Sequence, residues 1–305
     1  MKKILAFGNP VYDLIVTPQI IRSDRVLSGC STNACLAAAK LGEETVLVGT
    51  VGPDYDASLR QDLTARGVGF HLIASHQTGG FSLDYDARGD RKLTVLGIAD
   101  PIPASPDLAE PCDFILFGPI LGETSPELGK AILSQVNAPV MLDPQGTLRK
   151  IVDGKIVHEV TPAFVELARL STVVKANEIE TITVTGIDPR KDPEAAVKAL
   201  HSTGCQIAVT TLAEAGSIIY DGQTYYRIPP YTTNAIDPTG AGDTYAAGFM
   251  VRYLENPGNL TVVGCFASAV ASVMVENSGP DFPLTRSEAD RRANILLGGR
   301  LDLVL

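Results

Sequence analysis

The stretch "AIDPTGAGDTYAAGF", residues 235–249, sets two glycines around an alanine, an aspartate directly behind them, and then an apolar helical pattern. Tyr245, Phe249 and Tyr253 recur at i, i+4 and i+8, with Ala246, Met250 and Leu254 on the adjoining row. That spacing predicts one buried stripe at helical period. Asn256, Pro257 and Gly258 end it. Gly240, Ala241 and Gly242 therefore fall at a helix N-terminus, where unpaired backbone N–H groups and the positive end of the dipole face outward. Glycine lets an anion approach those amides, whether a phosphate or a developing oxyanion. A tight turn with Asp243 as a favourable first-turn acid would use the same residues.

Outward from this helix, strand-like and helix-like runs alternate. "KILAFGN" reads as a buried first strand, "STNACLAAAKLG" as a small-residue helix, "TVLVGTVG" as a strand and "DASLRQDLTARGVG" as a helix. Further strands are expected at "CDFILFGP", "APVMLDP", "STVVKAN", "QIAVTT" and "GSIIYD", with helices between them such as "DPEAAVKALHSTG". The alternation predicts an α/β fold: a doubly wound, largely parallel sheet with helices on both faces. Its catalytic loops should gather at the carboxyl ends of the strands. "GGFSLDYDARGDRKLTVLG" breaks the pattern as a hairpin with Phe81, Leu83 and Tyr85 on one face and Ser82, Asp84 and Asp86 on the other. No internal repeat or long linker is evident, so residues 1–305 are read as one domain.

Composition narrows the function. Lys+Arg total 25 against Asp+Glu 35, a formal charge of −10, and no dense basic run exists. Nucleic acid is therefore not an expected partner. Five scattered cysteines without a C-x-x-C pair read as reduced thiols. Met1-Lys2-Lys3 leads into an apolar run too brief for a signal segment, and no run reaches transmembrane length. A cytoplasmic protein without membrane contact is expected. Walker-type, G-x-G-x-x-G, G-x-S-x-G and H-E-x-x-H patterns are absent. The four histidines are scattered, and Cys30 in "SGCSTNA" reads better as a small helix-start residue than as a nucleophile.

Five segments in consistent order, from residue 4 to about residue 290, carry a resemblance. "DPTGAGDTYAAGF" resembles the C-terminal signature of the ribokinase-like (PfkB) carbohydrate kinases. "SGCSTNACLAAAKLG…VGTVGPD" is similar to their N-terminal signature, with Gly29, Asn33, Gly49, Gly52 and Asp54 in register. Asn177 and Glu180 in "KANEIE" match the N-x-x-E motif, "VTTLAEAG" the nucleotide loop, and "GNPVYDLIV" the first strand with a substrate-facing Asp13. Ser28, Asp56 and Ala213 stand where glycines are usual. Between Asp13 and Gly29 there is little room for the usual pair of lid strands. Lid segments are expected at about 14–28 and 78–97, with the hairpin as the main part.

The resemblance implies an ATP-dependent kinase acting on an alcohol. Such chemistry needs an aligned hydroxyl, a base to take its proton and groups to hold developing charge. Asp243 is then the base, and the amides of Gly240, Ala241 and Gly242 hold the charge. Glu180, with Asn177, would hold Mg²⁺ largely through water, although the two residues also fit a helix capping box. Thr211, Gly216 and Asn277 are nucleotide-side candidates. Asp237 and Thr239 are candidates for a K⁺ loop, as in some relatives, or for ordinary turn-making. Asp13, placed at the end of the first strand, Asn33 and Gly29 are implied on the substrate side. A homodimer is left open.

Three acceptor classes compete. A sugar phosphate needs cations, which "SGCSTNA" lacks, although Arg22, Arg25, Arg91 and Lys92 lie on the lid side. A nucleoside would want an aromatic platform, which Phe81 and Tyr85 could supply. "MLDPQGTLRK" resembles the D-x-Q-G-x-x-R segment of archaeal myo-inositol kinases, with Asp143, Gln145, Gly146 and Arg149 in place. Gln145 and Arg149 could then bond ring hydroxyls, or Arg149 could bridge to a surface acid. An inositol-like cyclitol is the leading expectation.

Overall fold

The computed structural model describes residues 1–16, 24–85 and 91–298, without the side chains of Tyr85 and Arg91. The "DARGD" turn at 86–90 and Arg22 lie outside the described residues. Nine strands make the central sheet. In spatial order they are β5 (Gly69–Ala74), β4 (Glu44–Val51), β1 (Lys3–Phe7), β8 (Phe114–Phe117), β9 (Val140–Leu142), β12 (Val173–Ala176), β13 (Ile207–Thr211), β14 (Ser217–Tyr220) and β15 (Tyr225–Ile228). From β5 to β13 every pairing is parallel, and β14 and β15 add an antiparallel edge. This is the doubly wound sheet the alternation predicts.

Helices cover both faces, which is why the strands read as nearly continuous apolar runs. On one face lie α1 (Cys30–Lys40), α2 (Asp56–Ala65), α7 (Ala241–Glu255), α8 (Leu260–Val275) and α9 (Arg286–Leu296). On the other lie α3 (Pro126–Leu133), α4 (Pro162–Leu170) and α6 (Pro193–His201), with α5 (Glu178–Thr185) following β12. Side chains alternate between the two cores as the strand period requires. Ile4 and Ala6 of β1 join the α7 face, while Leu5 and Phe7 join the α3 face. The chain turns back at β1 and β8, which are neighbours leading to opposite halves of the sheet. Crevices form at the carboxyl ends of such strands.

A second sheet has the order β3 (Val26–Ser28), β2 (Val11–Val16), β6 (Gly80–Tyr85) and β7 (Arg91–Gly97). It corrects two expectations. The short crossing does hold two lid strands, β2 and β3, so the lid is a four-stranded sheet rather than mainly the hairpin. Asp13 lies within β2, not at the end of β1, because the ladder of β1 stops at Phe7 and Pro10 has no N–H to continue one. A ribbon of β10 (Arg149–Val152) and β11 (Lys155–His158) also stands outside the main sheet. Helix α7 is buried all round from Thr244 to Arg252, more than a single stripe, because α1 and α8 flank it. Among the described residues no helix is long and apolar enough to cross a membrane.

Candidate active site

Helix α7 begins as its sequence predicts. Gly240 is its N-cap in the left-handed region, at φ 79°, and no side chain caps the first turn. Only glycine adopts that conformation readily. A Cβ there would also stand 3.2 Å from Asn33 Nδ2. Ala241 N is turned back onto Pro238 O at 3.2 Å, so of the expected amides that of Gly242 is, among the described residues, without a backbone acceptor of this kind.

Asp243 follows in that turn, half-buried. Asn33 Nδ2, in the first turn of α1, donates to Asp243 Oδ2 at 2.8 Å, joining positions 210 residues apart. The Cys30 thiol lies close to this carboxylate. Burial, then the charge of Asp143, raises the Asp243 pKa above the usual aspartate range, against Lys175, Asn33 and Cys30, which lower it. Burial and the same two carboxylates push the Cys30 thiol well up, so it stays protonated. Candidate ligand atoms of Cys30, Asp143 and Asp243 all lie within 4.8 Å of one another.

Lys175 stands at the centre of this cluster. Val174 pairs with Leu142, so the next residues along β12 and past β9, Lys175 and Asp143, come side by side. Lys175 Nζ donates to Asp143 Oδ2 at 2.5 Å, with side chains 3 % and 2 % exposed. Burial alone would lower the ammonium's pKa, but Asp143, then Glu180, outweigh it and hold Lys175 charged. Sequence reading missed Lys175 altogether and gave Asp143 no role. The signal was a lysine inside the apolar run "TVVKA", since an unpaired buried charge is costly.

Asn177 and Glu180 form the capping box at the start of α5. Asn177 Oδ1 accepts from Glu180 N at 3.0 Å, while Asn177 N and Nδ2 donate to the Glu180 carboxylate at 2.8 and 2.9 Å. Glu180 is buried, and burial followed by the Asp143 charge pushes it up to about 7. A capping role does not exhaust a carboxylate held beside Lys175 and Asp143. Thr211 ends β13, and Gly216, at φ 88°, turns the chain where a Cβ would strike Ile228 O at 2.2 Å. Ala213 stands at φ 46°, so this loop keeps a glycine-like backbone without its usual glycine. Asn277 Nδ2 is turned back onto Val273 O at 2.8 Å. Asp237, fully buried, accepts from Thr239 N at 2.9 Å and Ser278 Oγ at 2.6 Å.

Of the residues expected on the substrate side, Asp13 accepts through Oδ1 from Phe81 N at 2.8 Å, tying β2 to β6. Gly29 precedes α1, where a Cβ would stand 3.0 Å from Asn9 O. Gln145 N donates to Asp143 Oδ1 at 3.3 Å, which sets Gln145 beside the cluster. Arg149 Nη2 donates to Gln145 Oε1 at 2.5 Å and Nη1 to Ile120 O at 3.2 Å. Arg149 is buried. Its guanidinium lies over the Phe81 ring at 5.9 Å. Phe81 itself is buried with Val11, Ile15, Leu83 and Ile120 under the lid.

The fold thus joins a largely parallel α/β sheet, a four-stranded lid sheet and a cluster of charged side chains at the start of α7. The model of the pfkB family carbohydrate kinases matches residues 1–286, and the chain belongs to that family. Membership supports an ATP-dependent phosphotransferase that acts on hydroxyl groups. A nucleoside kinase of Methanothermobacter thermautotrophicus is 28 % identical, over 91 % of each chain. A cytidine kinase of Thermococcus kodakarensis is 26 % identical, over 83 % of this chain and 89 % of its own. A pyrophosphate-dependent kinase of the ribokinase family, solved with a pyrophosphate analogue and myo-inositol, superposes with a TM-score of 0.81. It is 23 % identical, over 94 % of this chain and 99 % of its own.

Proposed function

We propose that this kinase phosphorylates a small neutral polyol, with an inositol-like cyclitol as the leading acceptor, and that Asp243 takes the proton of the attacked hydroxyl. The observation that carries this reading is the Gln145–Arg149 pair next to the Asp143–Asp243 cluster. Amide and guanidinium together offer donors and an acceptor suited to ring hydroxyls. Arg149 donates to Gln145 and Ile120, and Lys175 to Asp143, bonds that hold both cations within the site. Arg25 lies at the lid near Gly80, and Lys92 is exposed on β7. A structural neighbour bound to myo-inositol supports the same reading.

The rival reading is a nucleoside kinase, which two relatives favour by name. Among the described side chains, the aromatic groups near the lid argue against it. Phe81 packs into the lid's own core, and Tyr12 stacks on Tyr55 at 4.0 Å with its hydroxyl on Asp62. On the donor side, Asn177, Thr211, Gly216 and Asn277 would face ATP. Glu180 would hold Mg²⁺ through water, and Asp237 with Thr239 would line a K⁺ loop. Kinetics with myo-inositol, ribose, fructose 6-phosphate, adenosine and cytidine, each with ATP and with pyrophosphate, test the reading. A nucleoside or phosphorylated sugar leading by about a hundredfold in kcat/KM, roughly 2.7 kcal/mol at the transition state, would overturn it.

A further inference from the structure

The Asp143–Lys175 pair is not required by an account built on Asp243 and the helix start. Stability does not explain it well either, since packed apolar residues often replace a buried ion pair without loss. Its placement points to the reaction. Lys175 follows Val174 on β12 and so shares the α7 face of the sheet with Val173. An ammonium carries three N–H groups. Among the described residues one bonds Asp143, the only hydrogen-bond partner of Lys175. Its nitrogen is pressed against the first turn of α7, where a Cβ built on Gly242 would stand 2.9 Å away. Any larger residue at 242 would push the ammonium out of the anion-binding turn.

We propose that Lys175 is a further catalytic residue, whose ammonium hydrogen-bonds an equatorial oxygen of the transferred phosphoryl group while Asp143 holds it in place. The acceptor oxygen forms a bond to phosphorus, and the bond from phosphorus to the bridging oxygen of the leaving ADP breaks. The acceptor's proton passes to Asp243, and Lys175 keeps its own protons throughout. This rests on the α7 N-terminus being the phosphoryl site, and not on Asp243 being the base.

The test is the double variant Asp143→Asn/Lys175→Met, which removes both charges together and leaves no uncompensated buried ion. It should fold, bind acceptor within about threefold of the parent and lose about 10²–10³-fold in kcat. That loss should persist from about pH 6 to about pH 9, because no titration replaces the missing donor. Turnover within about fivefold of the parent overturns the proposal. So does full recovery at high pH, which would mean that Lys175 acts only by keeping Asp243 ionised. Lys175→Arg retains the charge pair and is the second variant: a loss of at least about tenfold in kcat is expected, because a planar fork replaces a compact ammonium. Parental turnover in it overturns the proposal as well. Asp243→Asn, measured beside them, separates the two ideas: normal turnover there faults the base alone.

Discussion

Asn33→Ala removes the N–H that Asp243 Oδ2 accepts at 2.8 Å. That bond stabilises the ionised carboxylate, so its loss raises the Asp243 pKa, which burial and Asp143 already hold above the usual range. A hydrogen bond to a charged group is worth about 1.5–3 kcal/mol, and one pKa unit is about 1.4 kcal/mol. The half-buried position of Asp243 favours the lower end, so the shift should be about one unit. A base works only when ionised; the acid limb of kcat/KM should therefore move to higher pH by that amount. Glu180, pushed up to about 7, titrates nearby. The profile is therefore recorded by ADP release in both the parent and the Glu180→Gln background. The family resemblance also implies Asn33 on the substrate side, so the height of the profile should fall too, but only its position bears on the coupling. A lower profile with an unmoved acid limb would refute the coupling of Asn33 to the base.

Glu180→Gln should raise the Mg²⁺ concentration for half-maximal activity, and titration of activity against metal checks it. It should also alter the pH dependence of stability. A carboxyl with its folded pKa raised contributes most below its unfolded value and loses that contribution as pH rises through about 7. Relative to the variant, the parent should thus lose roughly 1–3 kcal/mol between about pH 5 and pH 8 in denaturant titrations. A constant difference between the two proteins would contradict this. Ala213→Gly should stabilise by about 0.5–1 kcal/mol, because relief of left-handed strain exceeds the added freedom of the unfolded chain. A destabilisation of that size would show that the φ of 46° carries no strain.

Seven of the nine sheet strands and α7 were legible because their signals are local, whereas the edge strands β5 and β15 were not read. Glycines before a helix, apolar runs at the right length and the Tyr245–Phe249 spacing each act within a few residues. Lys175 was not, since its meaning comes from Asp143, thirty-two positions away and adjacent only through the parallel register of β12 with β9. The lid strand β3 was missed for a related reason. Three residues, Val26–Ser28, carry no periodicity, and their pairing with Val11–Asp13 defines the strand. The β10–β11 ribbon had a local signal, Asp153-Gly154 with both residues at positive φ. Flanking lysines blur its alternation. Asn177 and Glu180 show the limit of motif reading in the other direction: the motif residues do build the capping box, and only the burial of Glu180, under the charges of Asp143 and Lys175, sets the pair apart from ordinary helix caps.

The central claim is that Asp243 accepts the proton while the α7 helix start holds the transferred group. Asp243→Asn keeps the shape and a bond to Asn33 but removes the proton acceptor. Single-turnover kinetics on this variant, with donor and acceptor affinities measured by calorimetry, test the claim most directly. Both affinities should survive while the phosphoryl-transfer rate falls by about 10²–10⁴-fold. A transfer rate close to the parent's, in a variant that binds both ligands normally, would contradict the account.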